Sequence, residues 1–385
     1  MAFFNFSDFE TFQKCMIFNL KRVRKRGAAY GDTRSCRMNR KAISKPTILD
    51  VASRSGVSVG TVSNVLNGGG NVSAGRRALV EAAMAELGFL PNRVAQSLRR
   101  RESRVIGLCA PLTSSAYFAA LLEMFEDVAA QQDYALVQVL SHGDPALELR
   151  RVQALLGRNV DGLILIPTHD PAATFDLLAS RGTPTVVVDR VFADTRFDYV
   201  AIDDRKAMRD ATRHVINLGH RRLLYLVRDV RLPTTQQRIA GYREAASKAR
   251  PAVTAAVMQR DIDEVVFARQ IADVLASAQA PTALIASNSA LALSLVRALQ
   301  GLHLRWPDDV ALLAFDEPVW ASILTPPLAV VRHPTQRIAM EAWSRLLARV
   351  RTPGLRPKRV TLDAVLIGAA SLAPPAAANH RKRPT

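Results

Sequence analysis

The sequence is poor in the features that mark secreted and membrane-spanning proteins. Its 385 residues include three cysteines, too few for a disulfide framework and without metal-ligand spacing. No apolar run is long enough to cross a bilayer, and charged residues interrupt the first twenty positions, where a secretory signal would be apolar. We therefore expect a protein of the reducing cytoplasm that has no membrane partner.

The motifs of several enzyme classes are also absent. The chain has no Walker loop, no H-E-x-x-H helix and no C-x-x-C pair, and its seven histidines share no metal-ligand spacing. Adjacent aspartates occur at 203–204 and 308–309, and the second pair is typical of a turn. These absences predict a protein that is not an enzyme and that needs no cofactor and no metal.

Positive charge, by contrast, is abundant and unevenly placed. The net charge is +18, and residues 1–104 hold 19 Lys and Arg against 7 Asp and Glu. Residues 105–373 are almost balanced, with 30 basic and 27 acidic side chains. A basic module on a nearly neutral body indicates a polyanionic partner, because Lys and Arg displace counterions from phosphates.

The residue pattern divides the chain into five segments. Residues 1–44 show neither a helical nor a strand period, so we expect a disordered leader or a mis-assigned start, with Met38 as the natural first residue. We predict a helix-turn-helix domain at 45–90 and a hinge helix with its linker at 91–104. A two-lobed core at 105–373 and a disordered tail at 374–385 follow.

Three short helices are predicted in residues 45–90. The run ILDVASRS ends at Gly56, VGTVSNVLN follows the N-cap candidate Ser58, and AGRRALVEAAMAEL lies between the N-cap candidate Ser73 and Gly88. The third helix is predicted to bury a stripe made of Leu79, Val80, Ala83, Met84 and Leu87.

The first two of these helices and their glycine-containing turn form a helix-turn-helix. Small residues on the second helix suit the major groove, where Thr61, Ser63 and Asn64 can contact base edges or phosphates. Its apolar side, formed by Val62, Val65 and Leu66, is predicted to face the first helix. A plain three-helix core that binds no DNA remains the alternative.

After Arg104 the chain alternates short apolar runs with amphipathic stretches of helical length. Runs such as VIGLCA, LILI and TVVV are apolar on both faces, as in parallel strands that helices cover on both sides. Their number predicts an α/β core of two doubly wound parallel-sheet lobes. Ligands bind at the carboxyl ends of such strands, so a cleft between the lobes is the expected ligand site.

The segments TILDVASRSGVSVGTVSNVLNG, VSAGRRALVEAAMAELGFLPNRVAQSLRR and SRVIGLCAPL together resemble the LacI-type (lactose and galactose repressor) family of bacterial transcription regulators. The resemblance runs from about Thr47 to Ser371. It implies a small all-α helix-turn-helix headpiece, a hinge helix, and a core like that of periplasmic sugar-binding proteins. It further implies a homodimer, associated with the nucleoid, that binds a pseudo-palindromic double-stranded DNA operator under the control of a small-molecule effector.

The resemblance assigns DNA contacts residue by residue. Val59, Gly60 and Asn64 stand where family members read operator bases, and recognition here would depend on Asn64, methyl contacts and DNA shape. The residues predicted to position the DNA backbone are Thr47, Thr61, Ser63, Asn67 and Ser73. The predicted hinge contacts are Asn92, Ala95 and Leu98, of which Leu98 would be the apolar wedge in the minor groove.

The resemblance also assigns an effector site. The matching positions are Tyr117, Phe118, Arg190, Asp203, Arg238, Asn288 and Asp316. Two positions depart from the pattern of sugar-binding relatives, because Ser289 replaces a familiar Asp and Asp204 replaces a usual Asn. With Arg190 and Arg238 present, an acidic ligand such as a sugar acid fits this pattern as well as a neutral sugar does.

Two other functional classes fit parts of the chain. A solute-binding receptor would use the same two-lobed core but would leave the basic helical segment unexplained. An enzyme on this fold would need a catalytic constellation that the motifs do not supply. Deleting residues 1–104 distinguishes a receptor from a regulator. A receptor would keep its function after the deletion, and a regulator would lose DNA binding.

Overall fold

The computed structural model describes residues 46–67, 69, 72–90, 102–112, 115–260, 263–368 and 370–375. The chain divides into two compact units, with the boundary after residue 91. The predicted leader, the hinge contacts Asn92, Ala95 and Leu98, and most of the predicted tail lie outside the described residues.

The first unit contains the three predicted helices, α1 (Ile48–Ser55), α2 (Val59–Asn67) and α3 (Ala74–Leu87). One valine from each helix forms the centre of its core, and Val51, Val62 and Val80 have no exposed surface. An ion pair at 2.7 Å between Arg54 and Glu86 joins α1 to α3 at the surface. The helix-turn-helix prediction is therefore confirmed in this unit.

Capping explains where these helices begin and end. Thr47 begins α1 through a capping box, in which its hydroxyl accepts from the Asp50 amide and its own amide donates to the Asp50 carboxylate. Gly56 ends the helix at φ 67°, a conformation that glycine adopts without strain. Ser58 caps α2 by accepting from the Thr61 amide at 3.2 Å. Ser73 is the N-cap residue of α3, as predicted, but its side chain makes no capping hydrogen bond.

The predicted stripe on α3 is narrower than its sequence pattern indicates. Val80 and Ala83 are buried, and Met84 and Leu87 pack partly against the same core. Leu79 is instead 55% exposed, so its assignment to the buried stripe is wrong. The spacing of one residue from Val80 turns Leu79 about 100° around the helix, which moves it off the buried face.

The second unit consists of two lobes, each built on a six-stranded sheet. The first sheet has the strand order β11-β5-β4-β3-β1-β2 and the second β12-β10-β9-β8-β6-β7. The first-lobe strands are β1 (Val105–Ala110), β2 (Ala135–Leu140), β3 (Gly162–Leu165), β4 (Thr185–Val188), β5 (Asp198–Ile202) and β11 (Arg359–Leu362). The second-lobe strands are β6 (Arg222–Val227), β7 (Thr254–Gln259), β8 (Ala283–Ala286), β9 (Ala311–Phe315), β10 (Ala329–Arg332) and β12 (Val365–Ile367).

All strand pairs except one are parallel, which confirms the predicted doubly wound lobes. The exception is β12, which pairs antiparallel with β10 at the edge of the second sheet. The intervening helices are α4 (Ala116–Gln131), α5 (Pro145–Leu156), α6 (Ala172–Arg181), α7 (Asp204–Asn217), α8 (Pro233–Lys248), α9 (Glu264–Ala276), α10 (Ser289–Gly301) and α11 (Thr335–Arg351), with a 3₁₀ turn at Val319–Ser322.

The chain passes between the lobes three times, after β5, after β10 and after β11. A buried ionic cluster fixes the second of these passages, the return to the first lobe after β10. Asp198, which has no exposed surface, lies 2.7 Å from Arg345 of α11, contacts Arg349, and accepts from the Lys358 amide at 2.7 Å. Two arginines and an amide thus satisfy a carboxylate that would be costly to bury alone.

Candidate nucleic-acid interface and effector cleft

Helix α2 has a packed side and an exposed side. Val62 and Val65 are buried in the headpiece core, and Leu66 packs partly against it, as predicted. Val59 is 39% exposed, and Gly60 and Asn64 are exposed as well. The three predicted base-reading residues therefore share one accessible helix face, where their role remains a prediction.

Gly60 adds no side chain to this face, and the packing of the headpiece does not require a glycine at this position. A methyl group added at its Cα would meet the Ser58 hydroxyl at 3.7 Å, which is ordinary van der Waals contact. Its backbone is helical, so no left-handed conformation requires glycine. Packing inside the described headpiece therefore gives no reason for a glycine here, whereas a close approach of another molecule to this face does.

The other predicted backbone-positioning residues occupy different environments. Thr61 is half-buried with its hydroxyl 3.0 Å from that of Ser58, and Ser63 is half-buried. Thr47 and Ser73 are exposed at the starts of α1 and α3. Asn67 is the last residue of α2, and its side chain lies outside what the structure describes.

The basic excess flanks the headpiece helices instead of lying on them. Residues 46–90 contain three arginines and three acidic residues, so this compact part is neutral. Residues 91–104 contain five arginines and one glutamate, and residues 1–45 contain eleven basic and three acidic side chains. The net positive charge of residues 1–104 is therefore carried by the segments on either side of the helices.

The turn before α2 also fits the spacing of a hydrolase nucleophile elbow, Gly56-x-Ser58-x-Gly60. Such an elbow joins a strand to a helix, which exposes the serine above a sheet. Here the turn joins two helices, and the Ser58 hydroxyl caps the second one. The geometry gives Ser58 a structural role and no nucleophilic one.

A cleft of about 550 Å³ lies between the two lobes of the core, at the carboxyl ends of their strands. This is the place that parallel-sheet topology predicts for a ligand. Six of the seven predicted effector residues line it, namely Tyr117, Phe118, Arg190, Arg238, Asn288 and Asp316.

Asp203 does not line the cleft, and its predicted placement is wrong. Its carboxylate caps α7 by accepting from the Lys206 amide at 2.8 Å, and it faces a separate, smaller depression. The next residue, Asp204, is buried instead and lies 2.6 Å from the Nε atom of Arg238. Because the helix begins at Asp204, the residue before it becomes the N-cap, and its carboxylate is held by the Lys206 amide.

Arg238 has partners within the protein for its Nε and Nη1 atoms. Besides the Asp204 pair, its Nη1 atom donates to the Ser287 carbonyl at 2.9 Å, and its guanidinium lies 3.6 Å from the centre of the Phe315 ring. Burial raises the pKa of Asp204 to about 6, although the Arg238 charge opposes that rise. Arg238 therefore shapes the cleft wall as half of a buried pair.

Arg190 is equally buried but incompletely satisfied. Its Nη1 atom donates to the Pro167 carbonyl, while its Nε atom is buried without a hydrogen-bond partner among the described residues. The Asp189 carboxylate lies 3.7 Å from that Nε atom, beyond hydrogen-bond distance. Burial lowers the pKa of Arg190, and the neighbouring Asp189 and Glu148 charges oppose this.

An aromatic and imidazole layer adjoins the cleft, and its members Tyr117 and Phe118 line the cleft directly. The Tyr117 ring lies 4.1 Å from the His333 ring and 5.0 Å from Phe118, measured between ring centres. Asp316 lies 3.1 Å from His333 Nε2 and accepts from the Ser289 amide at 3.2 Å. Burial alone would raise the pKa of Asp316, but the His333 side chain, the Arg238 charge and the Ser289 amide together lower it.

Comparison with known proteins identifies the family. Residues 47–92 match the model of the bacterial regulatory proteins of the lacI family, and residues 212–371 match the periplasmic binding protein-like domain. The HTH-type transcriptional repressor PurR of Pectobacterium atrosepticum is 31% identical over 307 residues, which cover 79% of this chain and 90% of that protein. The ribose operon repressor of Escherichia coli K12 is 28% identical, with coverage of 83% and 98%. The chain belongs to the LacI family.

A solved structure supports the same assignment. The Lac repressor dimer bound to operator and the anti-inducer ONPF superposes with a TM-score of 0.76 at 25% identity, covering 85% of this chain and 99% of that one. The cellobiose complex of the regulator CelR superposes with a TM-score of 0.63 at 27% identity. Both the predicted family and the predicted fold class are confirmed.

This LacI-family chain is a DNA-binding transcriptional regulator with a helix-turn-helix headpiece and an effector-binding core. The headpiece match accounts for the segment that a solute receptor leaves unexplained. Across the residues that the structure describes, no helix is both long and apolar enough to span a bilayer. Within the same residues, no cluster of three or more His, Cys, Asp and Glu side chains has the geometry to hold a metal ion.

Several cleft residues of this LacI-family core were missed from the sequence. They are His142, His169, Asp189, Arg228, Asp229, Arg231, Gln259 and Arg260. Six of them lie at the end of β2, β4, β6 or β7 or within two residues after it, and that position was the available signal. His169 and Arg231 lie in loops farther from a strand end, where sequence spacing does not reveal the direction of the side chain.

Proposed function

We propose that this LacI-family chain represses transcription as a homodimer that binds a pseudo-palindromic operator. One headpiece contacts half a site, so two-fold symmetry of the protein matches two-fold symmetry of the DNA. The observation that carries the proposal is the exposed α2 face of Val59, Gly60 and Asn64, opposite the buried Val62 and Val65. The dimeric, operator-bound state of the similar Lac repressor supports it.

On this face, Asn64 is the residue that forms hydrogen bonds with a base edge, while the Val59 methyl groups suit contact with a thymine methyl. The residues that hold the DNA backbone are Thr47, Thr61, Ser63, Asn67 and Ser73. In the hinge, Asn92 and Ala95 follow the minor groove and Leu98 wedges open the central base step, which bends the site around the protein.

Control comes from a polar small molecule, a sugar or a sugar acid, that binds in the cleft of the core. Tyr117 and Phe118 supply an apolar wall, and Arg190, Asn288 and Asp316 present polar groups. Binding favours one arrangement of the lobes, and this changes operator affinity if the two arrangements hold the hinge differently. The protein acts on the nucleoid in the cytoplasm.

Selection of genomic fragments with the purified full chain tests this function. The expected result is enrichment of a small set of fragments that share a motif with two-fold symmetry, and loss of that enrichment when Asn64 is replaced by Ala. Recovery of fragments without any common motif would contradict sequence-specific binding.

A further inference from the structure

Arginines outnumber carboxylates along the cleft. Five arginines and three aspartates line it. Arg190 belongs to the first lobe, at the end of β4, whereas Arg228 and Arg260 follow β6 and β7 of the second lobe. A ligand between the lobes therefore meets guanidinium groups on both walls.

Most of this charge is already balanced inside the protein. Three arginines have a carboxylate partner, in the pairs Arg238–Asp204, Arg231–Asp229 and Arg260–Glu264. The sequence suggested Arg190 and Arg238 as the partners of an acidic ligand, but Arg238 already pairs with Asp204. Of the three aspartates, Asp316 is also engaged, by His333 and by the Ser289 amide.

Two arginines are left for a ligand. Arg190 is buried, and its Nε atom has no hydrogen-bond partner among the described residues. Arg228 lies in the exposed part of the cleft wall and forms no ion pair with any carboxylate in the described part of the chain. Asp189 lies 3.7 Å from Arg190 Nε, whereas Arg228 has no carboxylate partner among the described residues.

We propose that the effector is a polyol carrying one anionic group, a carboxylate or a phosphate, which pairs with Arg228 while Arg190 Nε donates to another ligand oxygen. This inference rests on the proposed function, in which the cleft holds the effector. A charged group gains the stronger, charge-assisted hydrogen bonds of a guanidinium. A neutral or apolar ligand that closes the cleft would leave Arg228 away from water without a partner, which is costly.

Calorimetric titration of the full chain tests the proposal with four probes: glucose, gluconate, glucuronate and glucose 6-phosphate. The test variant is Arg228→Gln, which removes the charge at an exposed position. The matched control is Arg243→Gln, because Arg243 is exposed on α8 of the same lobe and does not line the cleft.

At least one anionic probe is expected to bind more tightly than glucose, and Arg228→Gln to weaken that binding by about tenfold to hundredfold. Arg243→Gln should titrate like the wild type. Added salt should weaken binding of the anion and not of glucose. A preference for the sugar acids identifies a carboxylate, and a preference for the phosphate ester identifies a phosphate.

Equal or tighter binding of glucose would contradict the proposal, as would identical titrations of the two variants or no binding of any anion at millimolar concentration. Each of these results leaves the proposed repressor function intact if the same preparation still selects its operator. If the wild-type protein selected no operator, that result would instead contradict the proposed function.

Discussion

Replacing Gly60 by Ala separates the needs of the headpiece from the needs of the DNA interface. The added methyl group meets the Ser58 hydroxyl at 3.7 Å and nothing nearer, so the fold accepts it. Exchange of Gly for Ala inside a helix stabilises it by up to about 1 kcal/mol, and near the first turn the gain is smaller. We therefore expect the free energy of unfolding of the variant to equal or exceed that of the wild type.

Operator binding should change in the opposite direction. If the α2 face approaches the bases closely, the methyl group overpacks the interface and costs about 1–3 kcal/mol, or about 5- to 150-fold in affinity. Gly75→Ala is the matched control, because Gly75 is the second residue of α3 as Gly60 is of α2, and its added methyl would meet nothing within 4 Å. Fluorescence anisotropy with the selected operator measures both variants. Equal operator affinities for the wild type and both variants would refute the reasoning.

Three further predictions concern the core and the hinge. Asp198→Asn leaves two partly buried arginines without their carboxylate and should cost about 3–5 kcal/mol of unfolding free energy in urea titrations; unchanged stability would refute the role of this cluster. Burial lowers the pKa of His220 in the folded state, so as pH falls below 6.5 the unfolded chain takes up the proton first and stability drops. His220→Gln should flatten this pH dependence in thermal unfolding scans, and an unaltered slope would exclude His220 as its source. Leu98→Ala should weaken operator binding and spare effector binding, and an unaltered operator affinity would remove Leu98 from the mechanism.

Strands that are apolar on both faces were predictable, whereas the edge strands β7, β11 and β12 were not. β1, β3 and β9 are almost wholly buried, so their sequences are continuous apolar runs. β7 and β11 expose part of their residues and carry polar side chains, so their patterns resemble loops, and β12 is three residues long. β11 also pairs with β5, which lies far away along the chain, and local spacing holds no record of such pairing.

The cleft could be located from the sequence, but its charge balance could not. The family resemblance identified six of the residues that line it. The choice between Asp203 and Asp204 depends on which one caps α7, and adjacent carboxylates look alike in a sequence. Whether Arg238 is available to a ligand depends on Asp204, a residue 34 positions away that the fold brings to its side.

Charge illustrates the same limit in the headpiece. The basic excess of residues 1–104 indicated a nucleic-acid partner, and the family assignment agrees with it. The three helices are nevertheless neutral over residues 46–90, because their arginines are matched by acidic residues, including the Arg54–Glu86 pair. The net charge of a segment therefore indicates the kind of partner, but it does not indicate which surface contacts that partner.

The most direct measurement is the ratio of affinities for a selected genomic site and for a random duplex of equal length, at one salt concentration, with and without a ligand of the cleft. The account predicts at least about a thousandfold preference for the selected site, and a change in that preference when the cleft is occupied. Equal affinities for the two duplexes, or a preference that no cleft ligand alters, would contradict it.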